Sequence, residues 1–165
     1  MSIQDLEVAL YLIEVNGSGD FEGPKEDALI NRAEIMLGLI FPPSYKKFLA
    51  TLGCGDIAGL EFYGLINSDF EHSGIPDAIW LTLKKRKTGL PTNLILIYAT
   101  GDGTYYALDT GQVDDNGECP VVSYDLDGNI EKIADDYGSF ILSELKTVLP
   151  LEKRTTLTKA SSKPA

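Results

Sequence analysis

The stretch AEIMLGLIFPPSYKKFLATLGCG, residues 33–55, predicts two short helices joined at a Pro-Pro corner. Pro43 presets the backbone angle φ at the first position of the second helix. Four apolar residues then recur at i, i+3, i+4 and i+7 and form one helical face: Tyr45, Phe48, Leu49 and Leu52. A Gly-x-Gly motif ending at Gly55 closes the helix. The stretch therefore predicts a helical corner that packs on a core, without catalytic chemistry.

Apolar residues at helical spacing predict further helices on both sides of this corner. The first helix of the corner extends back to Glu26, and additional helices are predicted over residues 3–15, 76–87 and 133–150. The helix over 76–87 ends in the basic run 84–87, which complements the negative end of the helix macrodipole. A nuclear-import or nucleic-acid patch is the alternative, and a single basic cluster on an acidic chain argues against it.

Strand-length apolar runs separated by turn residues predict β-hairpins. Residues 94–99 and 104–108 flank Gly-Asp-Gly, and residues 121–124 precede an Asp-Gly turn that leads toward Ile130. Residues 60–65 predict a short edge strand, which would allow self-association as a homodimer if it were left unpaired. The fold class expected is α+β, an antiparallel β-sheet of about four to six strands with helices packed largely on one face.

Length and composition predict a single domain. Residues 1–151 are expected to form this domain, and residues 152–165, which are polar, are expected to be a flexible tail. No apolar run reaches membrane-span length, and the N-terminus carries Asp5 and Glu7 where a secretory signal would carry bases, so we expect a cytoplasmic protein. Cys54 and Cys119 lie far apart in the sequence and are expected to be free thiols.

Charge is the second informative property of the chain. The formal net charge is −11, and residues 152–165 hold one acid and four bases, so residues 1–151 carry −14. Residues 100–136 alone hold ten acids and one base, Lys132. Such a surface repels nucleic acid and attracts a basic partner by electrostatic steering, and solubility is the alternative reason for it.

Motifs for catalysis, metal binding and cofactor binding do not fit. Residues 125–129 open like a calcium loop, but the glycine falls at the fourth position and an Asp stands at the twelfth, so a plain turn is expected. The Gly-Asp-Gly sequence at 101–103 lacks the third glycine of a dinucleotide-binding motif and is not followed by the helix that such a motif requires. The single histidine, His72, lies in a polar loop and is expected to be exposed without function. We expect no cofactor and no enzymatic activity, with an unrecognised carboxylate site as the alternative.

Tyrosines occur in or beside the predicted strands, where they fit a half-buried pleated surface. Because successive strand residues alternate between faces, Tyr105 and Tyr106 are expected to point in opposite directions. One would pack under the helices, and the other would be open to solvent or to a partner. An exposed tyrosine beside Asp102, Asp109 and Asp125 would be a suitable interface anchor.

Four blocks of this sequence, in the family's order, resemble the SUKH superfamily, which covers bacterial immunity proteins and the fungal Smi/Knr cell-wall regulators. They are the corner at 33–55, residues 94–97 with GDGTYYALDT at 101–110, CPVV at 119–122, and IADDYGSF at 133–140. The family more commonly has Ser-Phe where this chain has Asp136-Tyr137. This difference keeps an aromatic core position and adds a charge.

The resemblance implies an α+β fold and an immunity protein that binds a cognate bacterial toxin domain, often a nuclease, in the producer's cytoplasm. A regulatory scaffold of the fungal cell-wall type is the alternative. We expect the partner to be basic, with no direct binding to nucleic acid or membrane. The residues expected to contact or steer it are Asp102, Tyr105, Tyr106, Asp109, Asp114, Asp115, Glu118 and Asp125.

Overall fold

The computed structural model describes residues 2–149, and the predicted tail at 152–165 lies outside these residues. Five helices occur in the described part: α1 Ser2–Asn16, α2 Asp27–Leu37, α3 Pro43–Leu52, α4 Ala78–Arg86 and α5 Tyr137–Val148. The corner predicted at 33–55 is confirmed. Gly38 adopts the left-handed conformation after α2, with φ of 69°, and Pro43 is the first residue of α3.

Seven strands of the described part divide into two antiparallel sheets. The smaller sheet has the order β1-β2-β3: β1 Asp20–Phe21, β2 Gly55–Ile57 and β3 Leu60–Phe62. The larger sheet has the order β4-β5-β6-β7: β4 Leu94–Ala99, β5 Tyr105–Asp109, β6 Val121–Tyr124 and β7 Ile130–Ala134. The α+β class is confirmed, and the predicted hairpins form the larger sheet.

The main core lies between one face of the larger sheet and helices α1, α2, α3 and α5. Ile95, Ile97, Leu108 and Val121 enter it from the strands. Aromatic rings join the layers, because Tyr137 of α5 packs edge-on to Tyr45 of α3 with the ring centroids 4.9 Å apart. The smaller sheet packs on the same core through Ile57, Leu60 and Phe62.

The other face of the larger sheet is also covered, so the prediction that helices lie largely on one face holds for every described helix except α4. A second apolar cluster joins Ala78 and Leu81 of α4 to Leu94, Leu96 and Val122 of the sheet. Strands buried on both faces are apolar throughout, and β4 reads LILIYA.

The predicted edge strand at 60–65 is not left unpaired. Strand β3 pairs with β2, and the next residue, Tyr63, donates its amide hydrogen to the carbonyl of Ile97 at 3.0 Å. Ile97 lies where the pairing of β4 with β5 shifts register. The two sheets are therefore connected at this irregularity, and the exposed edge of the larger sheet is β7.

The closing helix begins later than predicted, because residues 130–134 form β7 and α5 starts at Tyr137. Asp136 is the N-cap of α5, and its carboxylate accepts a hydrogen bond from the Ser139 amide at 2.8 Å. Within residues 2–149, no helix is both long enough and apolar enough to cross a membrane.

Candidate functional site

Asp102 and Asp125 lie in hairpin turns of the larger sheet, as the sequence predicts. The Thr100 hydroxyl and the Thr104 amide lower the pKa of Asp102, and hydrogen bonds from Asn129 lower the pKa of Asp125. Both carboxylates therefore stay ionised at neutral pH and carry fixed negative charge at the ends of the β4–β5 and β6–β7 hairpins. The calcium-like segment at 125–129 is a turn, as predicted, with φ of 82° at Gly128.

Asp114 and Asp115 are exposed in the loop between β5 and β6. The carboxylate of Asp114 accepts hydrogen bonds from the amides of Asn116 at 2.8 Å and Glu118 at 3.0 Å, which order the loop. Asp114 also borders two shallow hollows, one with Asp136 and one with Asp135. This edge of the molecule is therefore acidic.

Asp109 and Glu118, predicted as contact residues, face the interior. Asp109 is 7% exposed and accepts hydrogen bonds from Asn93, Gly111 and Gln112. Glu118 is 5% exposed and accepts hydrogen bonds from the amide and the hydroxyl of Ser44. The Asp109 carboxylate orders the loop after β5, and the Glu118 carboxylate binds the first turn of α3. Neither side chain is exposed enough to belong to a contact surface.

Tyr105 and Tyr106 point to opposite faces, as predicted, but neither is an open anchor. The Tyr106 ring stacks on the Tyr98 ring, with their centroids 5.6 Å apart, and packs edge-on to the Phe140 ring, with centroids 5.7 Å apart. Tyr105 lies under α4, where Nζ of Lys85 is 5.4 Å from its ring centroid. Both tyrosines are half-buried, because α4 packs on the second face of the sheet, so neither ring is fully open to solvent.

The smaller sheet carries three carboxylates in a row, which the sequence-based prediction did not include. Asp20 of β1 is directly opposite Asp56 of β2, and Asp56 is directly opposite Glu61 of β3. Residues opposite each other in antiparallel strands share a face, so the three side chains form an acidic row. The neighbouring Phe21, Ile57 and Leu60 pack on the main core, which leaves the acidic row on the outer face.

This acidic row borders a depression of about 330 Å³. Glu22 adds a fourth carboxylate to the wall of this depression, which Cys54 and Pro76 also line. Nζ of Lys25 lies 3.7 Å from a carboxylate oxygen of Glu22. Burial and then the charge of Asp56 raise the pKa of Glu61. Like charges directly opposite in a sheet destabilise it, so the row has a cost in the free protein that a cationic partner group would relieve.

No sequence signal could have aligned these three residues before the structure was known. The alternation Leu60-Glu61-Phe62 places Glu61 outward, but β1 and β2 have only two and three residues and show no usable period. Among residues 2–149, no three His, Cys, Asp or Glu side chains are arranged to hold a metal ion.

Comparison with known proteins agrees with this architecture. The fold is similar to a crystal structure of a protein from Pseudomonas syringae pv. tomato, with a TM-score of 0.51 and 17% identity over 70% of this chain and 81% of that chain. At this identity the similarity shows the fold alone. Residues 3–146 match the family model SUKH_5, described as SMI1-KNR4 cell-wall. Because this match spans nearly all of the described residues, the chain belongs to the SUKH (SMI1-KNR4) family.

Proposed function

We propose that this SUKH-family chain is an immunity protein that binds and neutralises a basic toxin domain in the cytoplasm. The observation that carries the proposal is the row of Asp20, Asp56 and Glu61 across three strands. These carboxylates lie on a short sheet that packs on the core, which fixes the spacing of their backbone positions. Such a surface favours fast association with a positively charged protein and needs no chemical step.

A nuclease toxin is a suitable target because its substrate cleft is basic. Carboxylates at fixed spacing can occupy the positions where substrate phosphates bind and so compete with nucleic acid. The exposed Asp102, Asp114, Asp115 and Asp125 extend the negative potential beyond the row and would steer the encounter.

A regulatory scaffold that binds signalling proteins is the second candidate. The family description, SMI1-KNR4 cell-wall, favours it. A groove beside α4 also favours it, because Lys84 and Lys87 outnumber Glu71 in its wall and make its charge opposite to that of the acidic row. A scaffold would bind partners without rescuing cells from a toxin. The two candidates therefore differ in a growth assay.

The test is co-expression with a toxin domain from a neighbouring gene, with growth and copurification as readouts; a locus without such a gene weakens the proposal. The wild-type chain should restore growth, and the triple variant Asp20→Asn, Asp56→Asn, Glu61→Gln should fail to do so while remaining folded by circular dichroism. The matched control Glu14→Gln, Glu26→Gln, Asp27→Asn removes the same charge from helix α1 and the start of α2 and should still rescue growth. A wild-type chain that neither rescues nor copurifies defeats the proposal, and equal rescue by both triple variants places the contact elsewhere.

A further inference from the structure

A groove of about 690 Å³ opens between the last turn of α2, the loop before α4, and α4 itself. Its walls are mainly apolar with two lysines at the rim: Met36, Phe70, Trp80, Leu83, Lys84 and Lys87. Glu71 and His72 complete the wall on the loop side. Nζ of Lys84 lies 4.8 Å from the Trp80 ring centroid, so the apolar surface and the positive charge are adjacent.

The four bases at the end of α4 have different roles. Arg86 is used internally, because its guanidinium donates hydrogen bonds to the carbonyls of Leu37 and Thr92, both at 2.9 Å. Lys85 covers Tyr105. Lys84 and Lys87 are exposed beside the groove, which gives a positive site on a chain of net charge −11. An occupant of this groove should therefore present an apolar side chain flanked by acids.

The turn between β6 and β7 has this chemistry. Leu126 is 82% exposed, the highest value among the large hydrophobic residues described, and lies between Asp125 and Asp127. The turn is ordered, because one carboxylate oxygen of Asp125 accepts hydrogen bonds from the amides of Asp127 and Asn129, both at 2.9 Å. Leu126 also lies against Gly103, where an added Cβ would come within 2.9 Å of it.

Strands β5 and β6 connect α4 to this turn. Lys85 of α4 is over Tyr105, Tyr105 pairs with Tyr124, and Tyr124 directly precedes the turn. Because the groove and the turn have complementary chemistry, two copies related by a two-fold axis would each offer the turn to the other's groove. Such a reciprocal contact closes after two copies, whereas a one-way contact would continue into a filament.

We propose that two copies of this chain associate by reciprocal insertion of Leu126 into the groove between α2 and α4. Asp125 and Asp127 of each copy face Lys84 and Lys87 of the other. At physiological salt the Debye length is about 8 Å, so repulsion between two acidic molecules is screened while these contact-range attractions persist. This association is independent of the proposed binding to a toxin.

The experiment measures self-association of the full chain by analytical ultracentrifugation and by the fluorescence of Trp80 on dilution. Trp80 is the single tryptophan of the chain, so its emission reports directly on the groove. The wild type should show a monomer–dimer equilibrium. Leu126→Ser should raise the dissociation constant about tenfold or more, as expected for loss of an interface anchor. The control Val113→Ser removes another exposed aliphatic side chain and should leave the equilibrium unchanged.

A charge exchange makes the test specific. Lys84→Glu with Lys87→Glu should abolish dimerisation, and so should Asp125→Asn with Asp127→Lys, in which Asn keeps the oxygen that orders the turn. An equimolar mixture of the two variants should form heterodimers, because both contacts again join opposite charges. The second variant is less acidic than the wild type, so its failure to self-associate would exclude net charge as the cause.

Three results would overturn the proposal. They are a wild type that stays monomeric at the highest soluble concentration, a dimer that none of these substitutions weakens, and an open-ended polymer in place of a dimer. Circular dichroism of each variant confirms that it is folded. Growth rescue by Lys84→Glu with Lys87→Glu should match the wild type, so failure of this proposal is distinguishable from failure of the proposed immunity function.

Discussion

Glu118 illustrates how a single residue can complete an element far from it in sequence. The N-cap of α3 is Pro42, which has no side-chain oxygen to offer the first turn of the helix. Glu118, 74 positions after Ser44, accepts hydrogen bonds from the Ser44 amide at 3.0 Å and the Ser44 hydroxyl at 2.6 Å. A carboxylate at a helix N-terminus also interacts favourably with the helix dipole.

Glu118→Ala should therefore destabilise the protein by about 2 kcal/mol, because it leaves two buried donors of Ser44 without their acceptor. Glu118→Gln keeps one acceptor oxygen and should cost less. Urea denaturation measures the free energy of unfolding. Asp115→Ala, three residues away and exposed, is the control and should change stability by less than about 0.5 kcal/mol. Equal stability of the Ala variant and the wild type would show that the cap is unimportant.

Two buried tyrosine hydroxyls provide a matched pair. The Tyr45 hydroxyl donates to the Tyr63 carbonyl at 2.9 Å, whereas the Tyr137 hydroxyl has no hydrogen-bond partner among residues 2–149. Tyr45→Phe should lower the free energy of unfolding by about 1 kcal/mol, and Tyr137→Phe should leave it unchanged or raise it by a similar amount. Thermal and urea unfolding test both. A larger loss for Tyr137→Phe than for Tyr45→Phe would contradict the hydrogen-bond assignment.

At the scale of elements, β7 is the exposed edge of the larger sheet and has two features that discourage pairing with another chain. Its pairing with β6 shifts register between Val121 and Val122, which bends the edge at Ile133. Lys132 projects a charge from the strand and pairs with Asp135. Without the irregular register and the Lys132 charge, this edge would expose Ile130 and Ile133, which are 46% and 42% exposed, and could pair with a strand of another chain.

Lys132→Val should therefore increase aggregation, because it joins the two isoleucines into one apolar edge. Static light scattering of concentrated protein during incubation measures the effect. Lys132→Arg keeps the charge and should scatter like the wild type. If the Val variant also stays clear, the irregular register alone protects the edge.

At the scale of the whole molecule, the acidic row links the proposed binding to stability. Asp56 faces Asp20 on one side and Glu61 on the other, so it contributes two like-charge pairs. The fold tolerates this because the opposite face of the same strands packs on the main core. The cationic partner proposed above would relieve this repulsion.

Asp56→Asn should stabilise the free protein by roughly 0.2–1 kcal/mol for each pair relieved, at low ionic strength. Added salt should reduce the gain, since exposed charges are screened. The pKa of Glu61, raised by burial and by Asp56, should fall in the variant, as followed by NMR titration. The control Glu14→Gln removes one charge from α1 and should change neither the stability nor the pKa of Glu61. A destabilised Asp56→Asn protein would show that the row is not repulsive.

Alkaline pH should destabilise the whole molecule through its two buried thiols. Burial is the main cause that raises the pKa of Cys54 and of Cys119 from 9.0 to about 12. Between pH 9 and 12 the unfolded chain loses these protons and the folded chain keeps them, so stability falls as pH rises, by at most about 1.4 kcal/mol per pH unit for each thiol. Urea unfolding from pH 8 to 10 should show a shallower fall in the Cys54→Ala, Cys119→Ala variant. If the stability of the wild type and of the variant fell equally with pH, the thiols would not be the cause.

The sequence by itself determined the elements with a local signal. Periods of 3.6 and 2 residues, proline at helix starts and glycine at turns identified the helical corner, the hairpins of the larger sheet and most helices. These features depend on neighbouring residues alone. The sequence also placed Asp102, Asp114, Asp115 and Asp125 in loops and turns, where the structure has them.

Only the tertiary structure decided which charged residues lie together and which are buried. The row of Asp20, Asp56 and Glu61 depends on the register of strands two and three residues long, and no periodicity specifies such a register. The burial of Glu118 depends on Ser44, 74 positions away, and the covering of Tyr105 depends on the side of the sheet that α4 packs against. Contacts between distant segments are selected by the packing of the whole core, so local patterns could not reveal them.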